Sequence, residues 1–215
     1  MKMKTTTLRI AACGLAALIL SLAPAAHAAL TPAQISDLAG SGKGKKDSGP
    51  TAAAVQALMN SVPQAQKQQL AKDIAAYVAK NYPTSAGSIA GQLAKLLPTA
   101  AVEIVKAAVG ENKAVTAAVV ENVVREVKGT PGAPVAVAVA VAQIDVGLAV
   151  TAAKAATQGV GGNTDVASAI IQSLASVPGV SAQQITVAVN QVVQNIGNAS
   201  PVAFTVNPLN VSTSI

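Results

Sequence analysis

Tryptophan is absent from the chain, phenylalanine occurs once and tyrosine twice, so Tyr77, Tyr82 and Phe204 are its only aromatic rings. Unpaired bases are held largely by stacking on such rings, and their scarcity argues against a nucleic-acid partner. Cysteine and histidine also occur once each, as Cys13 and His27. Both lie in the opening segment MKMKTTTLRIAACGLAALILSLAPAAHA, where Lys2, Lys4 and Arg9 precede an apolar run that ends at Pro24 and the small-residue triplet Ala26-His27-Ala28. This is the pattern of a secretory signal peptide cleaved after Ala28, which predicts export to a periplasmic or extracellular compartment.

Cleavage there removes the only thiol and the only imidazole. The remainder, residues 29–215, then forms no disulfide, builds no zinc or copper site from sulfur or imidazole, and has neither a cysteine nucleophile nor a histidine base. No cofactor is expected. Lys2, Lys4 and Arg9 are three of the fifteen basic residues, so the formal charge of what remains falls by three from +6.

Charge is scarce and unevenly placed, with Asp, Glu, Lys and Arg making up 11% of the chain. Between residues 43 and 128 charged side chains are frequent; beyond Gly129 only Asp145, Lys154 and Asp165 remain. A second half with so little polar surface is expected to be buried, paired with a partner, or collapsed against the first half.

What is present is helix punctuation. Thr31 and Gln34 have the spacing of a capping box, with Pro32 at the first helical position. The following GSGKGKKDSG is a flexible, basic linker; its Gly-Lys pairs lack the spacing and the hydroxyl residue of a phosphate-binding loop. Apolar residues then recur every three or four positions between prolines and glycines, which predicts helices near 51–61, 63–81, 85–97, 99–109 and 112–128. Gly129-Thr-Pro-Gly-Ala-Pro134 marks the clearest boundary, dividing a first helical half (51–129) from a second (130–197). Residues 29–50 hold the short helix and linker, and 198–215 read as an extended or disordered tail.

The stretch PVAVAVAVA, residues 134–142, alternates like a strand, but the alternation stops at Ala142 and Gln143 and Asp145 interrupt any membrane span. Helical phasing accounts for more of its continuation, so residues 134–158 are expected to form one long helix at the centre of the fold. That phasing turns Asp145 toward the core as a buried carboxylate, a feature found at functional sites and also in plain ion pairs with lysine. Asn163-Thr164-Asp165 opens a further helix, and Ser181 with Gln184 opens another that ends at Gly197. Gly87 and Gly91, one turn apart beside Ala86, Ala90 and Ala94, predict close helix–helix approach. A faint repeat relates Ser61-Val62-Pro63 and the apolar residues Ile74 and Val78 to Ser176-Val177-Pro178 with Val189 and Val193, as in a duplicated helical hairpin.

Together these features predict an all-α fold, an Ala/Val-rich multi-helix bundle or short α-solenoid of hairpins, with about eight helices. No paired carboxylates share a helix face and no serine stands in a nucleophile elbow, so the expected function is non-catalytic: an exported structural or protein-interaction protein, with a protein partner or self-association. The alternative is a peripheral protein of anionic lipid surfaces, using weakly amphipathic helices and the linker residues Lys43, Lys45 and Lys46.

Overall fold

A computed structural model describes residues 30–40 and 49–197. The segment expected to be a signal peptide, residues 41–48 with Lys43, Lys45 and Lys46 of the expected linker, and residues 198–215 lie outside the described residues. Ten α-helices and three short 3-10 turns make up the described chain, without a strand. They are α1 (Pro32–Gly40), α2 (Ala52–Asn60), α3 (Gln64–Asn81), α4 (Pro83–Leu96), α5 (Ala101–Glu111), α6 (Thr116–Val127), α7 (Ala133–Ile144), α8 (Ala149–Gly159), α9 (Thr164–Ala175) and α10 (Ala182–Asn195).

The ends of these helices follow from the residues that cap them. At α1 the Thr31 hydroxyl accepts from the Gln34 N–H, and the Thr31 N–H donates to Gln34 Oε1 at 2.9 Å, a complete capping box. Asn163 Oδ1 accepts from the N–H groups of Asp165 and Val166, and Ser181 Oγ accepts from the Gln184 N–H. Pro83 opens α4, where its missing N–H costs nothing. All five helices expected between residues 51 and 128 are found with ends shifted by a few residues at most.

The long helix expected over 134–158 is two helices. α7 ends at Ile144, Asp145 adopts an extended conformation (φ −156°, ψ 114°), and the chain restarts through a 3-10 turn, Val146–Leu148, into α8. Asp145 Oδ1 accepts from the Gly147 N–H at 2.8 Å, so its side chain caps the new helix. The reading failed because Ala and Val occupy almost every position of α7: where hydrophobicity is similar all round, phase carries no information about where the helix stops.

The helices stack in two rows. α3, α5, α7 and α9 form one row, each packed on the next; α2, α4, α6, α8 and α10 form the other. Consecutive helices from α3 onward also pair across the rows, so the architecture is a stack of four hairpins preceded by α1 and α2. Three of the second-row starts, Thr116, Ala149 and Ala182, each fall 33 residues after the preceding one, beginning from Pro83. That period lies in the range of solenoid repeats. It corrects the faint repeat read from Ser61-Val62-Pro63 and Ser176-Val177-Pro178, which aligns α3 with α10, helices of opposite rows; both simply follow a proline-containing turn with apolar residues one helical turn apart. Nor does Gly129–Pro134 divide the packing. It is a turn between α6 and α7, and α5 packs on α7 and α6 on α8 across it.

The buried residues are chiefly alanine and valine with a few Leu, Ile and Met; among the described residues only Thr116 and Thr157 are buried polar side chains. Each hydroxyl donates to a carbonyl of its own chain, Lys113 O at 2.6 Å and Ala153 O at 2.8 Å, so neither is left unsatisfied. Such small side chains let backbones approach. A methyl group built on Gly87 would lie 2.7 Å from the Ala118 carbonyl oxygen, and one on Gly91 would lie 3.2 Å from Asn122 Cβ. The contact partners advance by one turn together, so α4 and α6 run parallel at near-backbone contact. On its other side α6 meets α8, where a methyl on Gly159 would lie 2.8 Å from both Glu121 O and Val124 Cγ1.

Gly87 and Gly110 therefore respond oppositely to the same change. Helix propensity alone favours alanine at both positions. At Gly87 the obstacle is a carbonyl that cannot rotate aside, and Gly87→Ala is expected to destabilise the fold by about 1–3 kcal/mol. Gly110, in α5, has no atom within 4 Å of the added methyl, and Gly110→Ala is expected to stabilise by up to about 1 kcal/mol. Urea unfolding of the two variants measures both signs.

Candidate functional site

The turns that join the hairpin partners α3/α4, α5/α6, α7/α8 and α9/α10 lie along one edge of the stack; side-chain hydrogen bonds link the α5/α6 turn to its neighbours on both sides, and the last turn meets the α7/α8 turn at Val146. Asn112, in the α5/α6 turn, works in two directions. Its Oδ1 accepts from the Ala114 N–H at 3.0 Å, starting the 3-10 turn Lys113–Val115, and its Nδ2 donates to the Ala79 carbonyl near the end of α3, also at 3.0 Å. Lys113 beside it donates through Nζ to Asp145 Oδ2 at 2.6 Å, reaching the α7/α8 turn. Gly179, in the α9/α10 turn, has Val146 Cγ1 3.5 Å from where its Cβ would stand. Asn112 and Asp145 hold equivalent places in their turns, each extended in backbone, each capping the residue two positions on, and 33 residues apart.

Asp145 is consequently not the buried carboxylate expected from helical phasing. Its side chain is 33% exposed, because ending α7 at Ile144 moves it from a helix face to a surface turn. The lysine ion pair, the other reading of this residue, is what the structure contains. The Lys113 hydrogen bond, the Gly147 N–H and the Lys113 charge hold the Asp145 carboxyl below the ordinary carboxylate range.

Tyr77 and Tyr82 pack together at the first hairpin, with ring centres 6.0 Å apart and planes at 59°. Burial, with Tyr82 beside it, pushes the Tyr77 phenol up from its ordinary value. The other two ion pairs among the described residues, Glu103–Lys106 and Glu121–Arg125, join neighbours within single helices on the surface.

A second feature lies where the even-numbered row ends. Val150 and Lys154 of α8 and Gln183, Gln184, Val187, Ala188 and Gln191 of α10 line an open groove of about 350 Å³. Val187 is 52% exposed in it, the most exposed of the large apolar side chains in the described chain. Sequence reasoning missed both the edge and the groove. The signal for the edge was available in the 33-residue offset between Asn112-Lys-Ala and Asp145-Val-Gly, two turn-forming Asx residues each followed two positions on by a small residue. No family model, curated protein or solved structure matches this chain.

The Asp145 linkage has a definite sign. A carboxyl whose folded pKa is depressed adds stability that is complete above its unfolded pKa and disappears as pH falls through the folded one. The Asp145 carboxyl is expected to titrate below an ordinary aspartate in a carbon-detected NMR titration, and Lys113→Ala to move it upward while the Gly147 hydrogen bond remains. An unchanged titration would show that the lysine does not set it. Asn112→Ala removes both a cap and an inter-turn bond, with an expected loss of about 1–2 kcal/mol by denaturant unfolding.

Proposed function

We propose that the chain is an exported, non-catalytic interaction protein whose tied edge of turns receives a protein partner. The observation that carries this reading is the edge itself: Asn112 and Asp145 hold equivalent places in successive hairpin turns, Asn112 is bonded to the Ala79 carbonyl, and Lys113 is bonded to Asp145. Stacked hairpins of this kind offer extended surfaces on which one partner touches several repeats. Fastening also reduces the ordering cost of binding, since these side chains are already held. Glu111, Lys113 and Val146 are exposed along this edge, which therefore mixes both charges with an apolar residue.

The lipid-surface reading has less support among the described residues. α6, an amphipathic helix, buries Val119, Val120, Val123, Val124 and Val127 within the stack, so its apolar face is committed to protein contacts. No helix there is long and apolar enough to cross a membrane.

Photo-crosslinking tests the proposal in cells exporting the full chain. A photoreactive residue at position 80, 113 or 146 is expected to give adducts with one common protein, whereas position 130, in the α6/α7 turn, gives none. Adducts with lipid alone, or salt-sensitive co-flotation of the purified protein with anionic liposomes, would replace the partner reading with the lipid-surface one.

A further inference from the structure

The even-numbered row closes differently at its two ends. α4, α6 and α8 each have a neighbour of the same row on both sides, and α2 covers the free side of α4. Among the described helices α10 has a neighbour of its row on one side only, and its outer surface carries Val187, while Ile196 just beyond it is 43% exposed. In a stacked array the last repeat ordinarily needs a polar outer face or a cover. α10 has Gln183, Gln184 and Gln191 around Val187, and Lys154 is the single charged residue lining the groove.

We propose that the segment 198–215 of this same chain folds back along α10 and seats Phe204 in the groove between α8 and α10, covering the end of the array. Three observations point to this occupant. The segment carries no charged side chain and holds the only phenylalanine, so it suits a groove with one charge, and no ionic side chain has to be desolvated on entering. Within it Val202, Phe204 and Val206 alternate with Ala203 and Thr205, which puts three apolar side chains on one face of an extended chain. Finally, the chain turns where it leaves α10, about one helical turn beyond Gln191, the last lining residue of the groove. Gly197, at φ +87°, takes the left-handed conformation that turns a chain off a helix end.

The reach is sufficient. Returning from Ile196 to the level of Val187 spans about 13 Å along the helix axis at about 1.5 Å per residue. An extended segment covers that in about four residues at about 3.3 Å each. Asn198, Ala199 and Ser200 remain for the turn, so Phe204 arrives opposite Val187. A second copy of the chain would offer the same apolar residues, but a tethered segment acts at an effective concentration of roughly millimolar, far above that of a free partner in dilute solution. This surface is distinct from the turn edge, and the inference stands whether or not a partner binds there.

The lack of tryptophan supplies the test. Phe204→Trp, made in the full chain, places a single indole at the proposed contact. The expected result is blue-shifted emission, independent of protein concentration and quenched several-fold more slowly by acrylamide than a free indole. Val187→Asp added to it should restore solvent-exposed emission at unchanged helical circular dichroism. Should that variant lose helix content, the milder Val187→Ser carries the same expectation. Exposed emission in the Phe204→Trp protein, a blue shift that ignores the Val187 substitutions, or one that grows with protein concentration would each overturn the proposal, the last in favour of a second copy. None of these results bears on crosslinking at the turn edge.

Discussion

The stack depends on the approach of helices of the second row to near-backbone distance around α6. Gly87 and Gly91 admit α6 to α4 on one side, and Gly159 admits it to α8 on the other. A fold built chiefly from alanine and valine has little side-chain area with which to bridge gaps, since each buried valine contributes only about 1.5–3 kcal/mol. Close contact replaces size: dispersion falls away steeply with separation, so shallow side chains stabilise the interface only if backbones nearly touch. Because α4 and α6 run parallel in this contact, the position of one hairpin fixes that of the next, and the rows extend by repetition.

Repetition in turn brings equivalent turns to one edge, and polar residues there have a structural task before any functional one. Asn112 and Asp145 must satisfy N–H groups at the start of new helical turns, and each uses its remaining polar atom on an earlier part of the stack. The edge is thus a product of the packing. Its fastening is what makes it a preformed surface, because the same bonds that close the turns hold Lys113 and Asp145 in place.

Much of this fold is legible in the sequence wherever residues have position-specific preferences. Thr31, Asn163 and Ser181 mark helix starts because an oxygen two or three residues before an unpaired N–H is a local requirement, independent of the rest of the fold. Gly87 and Gly91 were readable as a close contact for the same reason. The break at Asp145 was not, because the Ala/Val run of α7 imposes no phase and an aspartate suits a helix face, a core or a cap equally well until its neighbours are known. Its meaning comes from Lys113, 32 residues earlier, and from the equivalence with Asn112, both consequences of the stacking. The groove was less legible still, since nothing in Val187 or Gln191 distinguishes the last helix of a row from an inner one.

The uneven charge of the sequence also finds its place in the stack. A second half with few charged residues needed burial, pairing or collapse, and α7 and α8 obtain it by lying inside the rows, where Val137, Val141, Ala152 and Ala156 are fully enclosed. α10 has the same composition without a neighbour on its outer side, so the shortage of polar surface that inner hairpins hide from water emerges there, at Val187 and Ile196. An array made by repeating one packing step cannot satisfy its last member by the same step. The chain continues from that point in a segment without charges, and the chemistry that kept the inner helices together is the chemistry still available at the end.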